Sequence, residues 1–191
     1  MKKKILMLAV AACLIVLSIA SSSLAYFTDI DSKTNTFTAG NVAITLDYTP
    51  NPEEARNLYP GMTYADKALI TNTGSEKAYI GAIITFENTE VTADTLRGLF
   101  GLNATNTEIT VSGYKIFVVF KGIIDTGSDN AVTVFNGMTI PATWNNAEMA
   151  KISNLKVTVK AYATQTVFST ESGIDTAAEA LATAFPADWG N

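Results

Sequence analysis

The stretch Asn41-Val42-Ala43-Ile44-Thr45-Leu46-Asp47-Tyr48 alternates cleanly: Val42, Ile44, Leu46 and Tyr48 fall on one face, Ala43, Thr45 and Asp47 on the other. Period-two alternation marks a strand with one face buried. Outward from it the pattern recurs. Residues 68–73 read as a short strand stopped by Asn72-Thr73-Gly74-Ser75. Residues 78–86 are apolar on both faces, with Ile80, Ala82, Ile84 and Phe86 backed by Tyr79 and Ile83, which predicts a strand buried on both sides. Residues 107–121 carry a long strand pattern broken at Ser112-Gly113 by a turn or bulge, and residues 131–135 a short one. Leu155, Val157, Val159 and Ala161 then alternate inward, with Lys156, Thr158, Lys160 and Tyr162 outward. Pro50, Pro52, Pro60 and Gly61 punctuate a long connection, with the tight turn expected at Tyr59-Pro60-Gly61-Met62. Short helices are predicted at 92–100, with Leu96, Leu99 and Phe100 inward, and at 145–152. Near the C-terminus Ile174, Ala177, Ala178, Leu181 and Phe185 keep helical spacing. Ser172 and Asp175 offer that helix a capping box, and Pro186 is expected to stop it.

Several strands joined by loops predict an all-β chain, a jelly-roll-like antiparallel β-sandwich with a few short helices in connections and near the C-terminus. The beginning of the chain is different in kind. Lys2, Lys3 and Lys4 precede an uncharged run from Ile5 to Ala20, followed by Ser21-Ser22-Ser23-Leu24-Ala25. A positive start, an apolar middle and small residues before a cut describe a secretory signal cleaved between Ala25 and Tyr26. The competing reading is an uncleaved anchor, since ~20 apolar residues suffice to span a bilayer. Asp29 and Asp31 directly after the run, in place of a positive cluster, favour cleavage. Either way the domain lies outside the cytoplasm, and the leader is its only membrane contact. The expected organisation is a leader at 1–25, a distinct N-terminal segment at 26–37 and one sandwich domain at 38–191.

Removing 25 residues from the 191 leaves 166, among them 26 Thr, a residue suited to pleated, half-wet surfaces. The three leader lysines take Lys+Arg from 13 to 10 against 18 Asp+Glu, so the exported part carries a charge of −8. Such an acidic chain makes a poor nucleic-acid binder. Its only Cys, Cys13, leaves with the leader, and the chain has no His. That excludes a disulfide framework, a Cys or His nucleophile and His-ligated zinc. Without His, a Ser nucleophile would need a Lys base. Glu53 and Glu54 are adjacent and point apart. For a cation, Asp125-Thr126-Gly127-Ser128-Asp129-Asn130 places oxygen side chains around a Gly, with Asp125, Asp129 and Asn130 as Ca²⁺ candidates, while Asp29 and Asp31 read as exposed charges. A hydrated turn accounts for the same residues and is the favoured reading. No enzyme and no cofactor beyond that Ca²⁺ are expected.

What stands out is the new N-terminus, Tyr26-Phe27-Thr28-Asp29-Ile30-Asp31-Ser32-Lys33-Thr34-Asn35-Thr36-Phe37, which mixes aromatic, β-branched and polar residues where a polar tail is usual. It reads either as a first strand of its own domain or as a strand that completes a neighbour's sheet. Together with the leader, Ala25-Tyr26-Phe27-Thr28-Asp29 and Asn35-Thr36-Phe37-Thr38-Ala39-Gly40-Asn41 resemble the TasA/camelysin family of proteins processed by a SipW-type signal peptidase. Leu58-Tyr59-Pro60-Gly61, Ile70-Thr71-Asn72-Thr73-Gly74-Ser75 and the late strand at 157–165 match it as well. The resemblance implies a jelly-roll subunit of extracellular biofilm-matrix fibres, self-assembling head to tail by donor-strand complementation. Tyr26, Phe27, Thr28, Asp29, Ile30 and Asp31 would then make the joint. Some camelysin relatives are described as metalloproteases, an activity that a chain without His does not inherit. The alternatives are a camelysin-like secreted protease and a monomeric surface adhesin or accessory matrix protein.

Overall fold

The computed structural model describes residues 42–50, 57–166 and 176–189. The leader, the segment 26–37 and the expected Ser172–Asp175 box lie outside the described residues. Eight strands form two antiparallel sheets: β1 (Ile44–Asp47), β2 (Thr63–Asn72), β3 (Ala78–Glu87), β4 (Phe100–Leu102), β5 (Thr107–Ser112), β6 (Lys115–Phe120), β7 (Val132–Thr139) and β8 (Lys156–Gln165). The first sheet has the order β1-β2-β7-β4 and the second β5-β6-β3-β8. The central pairs, β2 with β7 and β3 with β6, join strands far apart in sequence, as in a wound jelly roll. The outer strands depart from that winding. β1 turns back onto β2, and β5 onto β6, so each pairs with its successor.

The core lies between the sheets. Ile80, Ile84, Ile116, Val118, Ile70, Phe135 and Val159 are all buried there. Phe135 anchors it, 5.1 Å from Phe100 and 5.6 Å from Tyr48, both edge-on. Helix α1 (Ala93–Leu99) closes one side by burying Ala93, Leu96 and Leu99, with Thr92 as N-cap. Helix α2 (Asn146–Ala150) opens with a capping box between Asn145 and Glu148.

A second apolar cluster covers the outside of the second sheet. Helices α3 (Ala177–Ala184) and α4 (Pro186–Trp189) pack Leu181, Phe185 and Trp189 onto Ile83, Val119, Tyr162 and Phe117. This explains why β3 is apolar on both faces. It also buries Tyr162, which sequence alternation places on the solvent side. One expectation is corrected here. The capping box of α3 is Thr176 with Glu179, at 3.1 and 3.2 Å. As expected, α3 stops before Pro186, with Phe185 as its C-cap, and Pro186 then opens the separate α4, because a first-turn position needs no amide hydrogen.

Two strands are longer than their patterns. β2 begins at Thr63 rather than 68, since the polar Asp66 occupies a buried position and breaks the alternation. Its last residue, Asn72, is fully buried and fully used. Its amide nitrogen donates to the carbonyls of Glu76 (2.9 Å) and Ile124 (3.2 Å), and its Oδ1 accepts from the Gly74 amide at 3.1 Å. β7 continues past Phe135 through Gly137, whose φ of +93° permits a register shift against β2. The turn at Tyr59-Pro60-Gly61-Met62 is as expected, with the Met62 amide 3.1 Å from the Tyr59 carbonyl and Gly61 at φ +85°. The break at Ser112-Gly113 is a tight hairpin turn, with Ser112 opposite Lys115.

A Cβ on Gly137 would sit 2.6 Å from the Tyr64 carbonyl oxygen, at a positive φ. Gly137→Ala is expected to lower unfolding stability by about 1–3 kcal/mol, read from chemical denaturation midpoints. Ile84→Asp and Val159→Asp each place an unpaired charge in the buried core and are expected to abolish the cooperative transition.

Candidate functional site: the open edges of the sandwich

Two sheets of four strands leave four edges, and each edge is a row of backbone donors and acceptors that another strand can use. Three are blunted. β4 is three residues long, with a register shift against β7 and α1 beside it. β1 is four residues long and is soon followed by Pro50. β5 is six residues long, with Glu108, Thr110 and Ser112 exposed on its outer face. The fourth edge is different. β8 runs ten residues in unbroken register with β3, from Glu87 opposite Lys156 to Ala78 opposite Gln165. On its other side it has no neighbouring strand among the described residues.

Most side chains of β8 are nonetheless covered, with Lys156, Thr158, Lys160 and Gln165 partly exposed. Val157, Val159, Ala161 and Ala163 enter the core, while Tyr162 lies under α3 and α4, 5.1 Å from Phe185 and 5.6 Å from Trp189. Burial pushes the Tyr162 hydroxyl well above the usual tyrosine range. The Asp188 carboxylate, which accepts its hydrogen bond, adds to the effect. Beside α3, a surface groove of about 300 Å³ runs between that helix and the β5–β6 hairpin, lined by Phe117, Val119, Ala178 and Trp189 with Glu108 and Glu179 at its rim.

The loop singled out for calcium is built as a turn. The Asp125 carboxylate pairs with Lys77 Nζ at 2.9 Å and accepts from the Thr126 amide at 2.9 Å. The Asn130 amide nitrogen donates to the Thr126 carbonyl at 2.8 Å, and Asp129 stands exposed in the short 3-10 turn Ser128–Asn130. Ala25 and Tyr26 of the expected cleavage site, and Tyr26 to Asp31 of the expected joint, fall outside the described residues. What sequence reading missed is the open edge itself, because alternation along one strand says nothing about how many neighbours it has.

The family described as camelysin metallo-endopeptidase matches residues 1–98. The chain belongs to the camelysin family. The match takes in the leader, the segment before β1, the first three strands and nearly all of α1. No curated protein and no solved structure matches the chain. The family description implies a metal, yet the donor set here does not fit a catalytic zinc. Such sites draw on imidazole, alone or with carboxylate or thiolate, and the chain has no His and a single Cys in the leader. Among the described residues no three Asp or Glu side chains gather into a candidate cluster. Likewise, no described helix is long and apolar enough to cross a membrane.

The Lys77 ammonium, and then the Thr126 amide, hold the Asp125 carboxyl below its ordinary pKa. Because this folded-state pKa is depressed, the pair's contribution is complete above the ordinary carboxylate range and is lost as pH falls through the lowered value. Both side chains are half exposed, which keeps that contribution small. In a carboxyl NMR titration Lys77→Ala is expected to move the Asp125 midpoint upward with little change in thermal stability.

Proposed function

We propose that this chain is an exported structural subunit that polymerises head to tail into extracellular biofilm-matrix fibres. A SipW-type peptidase removes the leader between Ala25 and Tyr26, and the freed segment 26–37 of one subunit completes a sheet of the next. The observation that carries this reading is the strand order. A wound sandwich ordinarily seats its first strand beside its last. Here β1 pairs with β2 instead, leaving β8 a long, largely side-chain-covered strand with one neighbour among the described residues. A contact in which one subunit's strand meets another's edge is heterologous and does not close, so it repeats into a filament. Ten or so residues added to a sheet bury on the order of 1,000 Å², enough for a stable joint.

Family membership agrees with an exported sandwich, and the missing imidazole ligands favour a structural over a hydrolytic role. The peptidase reading, which the family's description favours, makes a separate demand: chelator-sensitive cleavage of casein by homogeneous protein. None is expected.

Electron microscopy of the purified exported protein is expected to show fibres, whereas monomers at every concentration and pH overturn the reading. Deleting residues 26–35 is expected to give a folded, soluble chain that does not elongate. Phe27 and Ile30 supply its apolar anchors, each worth ~1.5–3 kcal/mol when buried. A synthetic peptide of the deleted residues is expected to raise the melting temperature of that chain by mass action.

A further inference from the structure

We propose that the groove beside α3 binds a carbohydrate bearing free amines, an oligomer of amino sugars, between the outer face of the β5–β6 hairpin and the two C-terminal helices. The proposal does not depend on fibre assembly. The hairpin supplies a floor of two characters. Its register sets Thr110 opposite Phe117 and Glu108 opposite Val119, so a polar row on β5 runs beside an apolar row on β6. Ala178, Ala182 and Trp189 form the facing wall of this hollow of about 300 Å³. A second hollow of about 310 Å³ shares Glu108, Val119 and Ala178 with the first and extends it to Tyr79 and Lys121. From Phe117 to Lys121 the chain advances roughly 13 Å. Such a trough is longer than one sugar ring and takes an oligomer.

A pyranose ring has a face of C–H bonds and a rim of hydroxyls, and the lining answers both. Phe117 and Trp189, half-buried and edge to face at 5.4 Å, suit the first, because an aromatic face is electron-rich and attracts C–H hydrogens. Glu108, Thr110 and Ser112 suit the second. Their side chains have no hydrogen-bond or ion-pair partner among the described residues. Trp189 adds a donor, since its buried Nε1 has no acceptor among the described residues. An unpaired buried donor is costly, and a ligand hydroxyl relieves that cost. Charge then selects among sugars. Glu108 and Glu179 stand at the rim against one cation, Lys121, in a chain of net charge −5. Glu179 is held by its bond from the Thr176 amide, whereas Glu108 is free to meet a ligand amine. Uronates are repelled and a protonated amine is attracted. A cationic peptide answers the carboxylates but not the hydroxyl row beside an apolar wall.

The test is a titration of the purified exported protein with a glucosamine tetramer, its N-acetylated form, a uronate tetramer and tetralysine. Calorimetry on the unsubstituted protein gives the affinities. The chain has two tryptophans, Trp144 and Trp189, so Trp144→Phe leaves Trp189 as the indole whose fluorescence reports the site. The glucosamine tetramer is expected to bind saturably and to shift Trp189 emission. The N-acetylated form is expected to bind about tenfold more weakly and the uronate not at all. Glu108→Gln is expected to weaken the glucosamine tetramer about tenfold, the loss of one charge-assisted hydrogen bond. Ala182→Leu fills the groove without changing charge and is expected to abolish the response. Glu108 is exposed and Ala182 half-buried, so both variants are expected to keep the parent's unfolding midpoint. No binding of the glucosamine tetramer overturns the proposal. Binding that neither substitution changes overturns it as well, because the sugar then sits elsewhere. Tetralysine bound equally well, with the same Trp189 shift, overturns the carbohydrate assignment and leaves a site that reads charge alone.

Discussion

Burial of β3 on both faces is the constraint around which the molecule is arranged. Its neighbours β6 and β8 are registered to it residue by residue, and its inward residues Ile80, Ala82, Ile84 and Phe86 form the centre of the sandwich core. Its outward face bears Ile83 and Gly81. A Cβ on Gly81 would lie 2.7 Å from Leu181 and Trp189, so the bare backbone there lets α3 and α4 close onto the sheet. Among the described residues, the sandwich thereby gains a third layer outside its second sheet. The same helices cover Tyr162 of β8, whose free backbone edge has no neighbouring strand among the described residues.

In the fibre reading proposed above, that asymmetry separates the two jobs of a subunit. Stability comes from side chains packed between and above the sheets, where aliphatic residues are fully removed from water. Assembly draws on backbone groups at an edge, which cost little to display to solvent and are directional when paired. A domain built this way can be folded before it polymerises. The family match ends at residue 98, ahead of β8, which begins at Lys156.

The metallo-endopeptidase description of the family and the chemistry of this chain diverge for a simple reason. Zinc hydrolysis needs several neutral nitrogen or anionic sulfur or oxygen donors brought to one point. After the leader this chain offers carboxylates alone, and the described ones are spread over strands, helices and loops. Several are engaged elsewhere: Asp125 with Lys77, Glu87 with Lys156, Asp188 with Tyr162, Glu148 and Glu179 at helix starts.

Local pattern alone determined much of this protein. Alternation at 42–48, the doubly apolar β3, the Pro-Gly turn at 60–61 and the helical spacing of Leu96 and Leu99 each belong to a single element, and each is legible from its own residues. Inward polar residues hid the rest. Asp66 concealed the first half of β2, and Asn72 is tolerated in the core only because Glu76, Gly74 and Ile124 are brought around it. The register shift at Gly137 and the burial of Tyr162 were likewise settled between elements. The open edge of β8 is the plainest case. A strand's sequence fixes which side chains face inward, since that depends on a period of two. The number of strands beside it depends on where β1 goes, and β1 lies more than a hundred residues earlier in the chain.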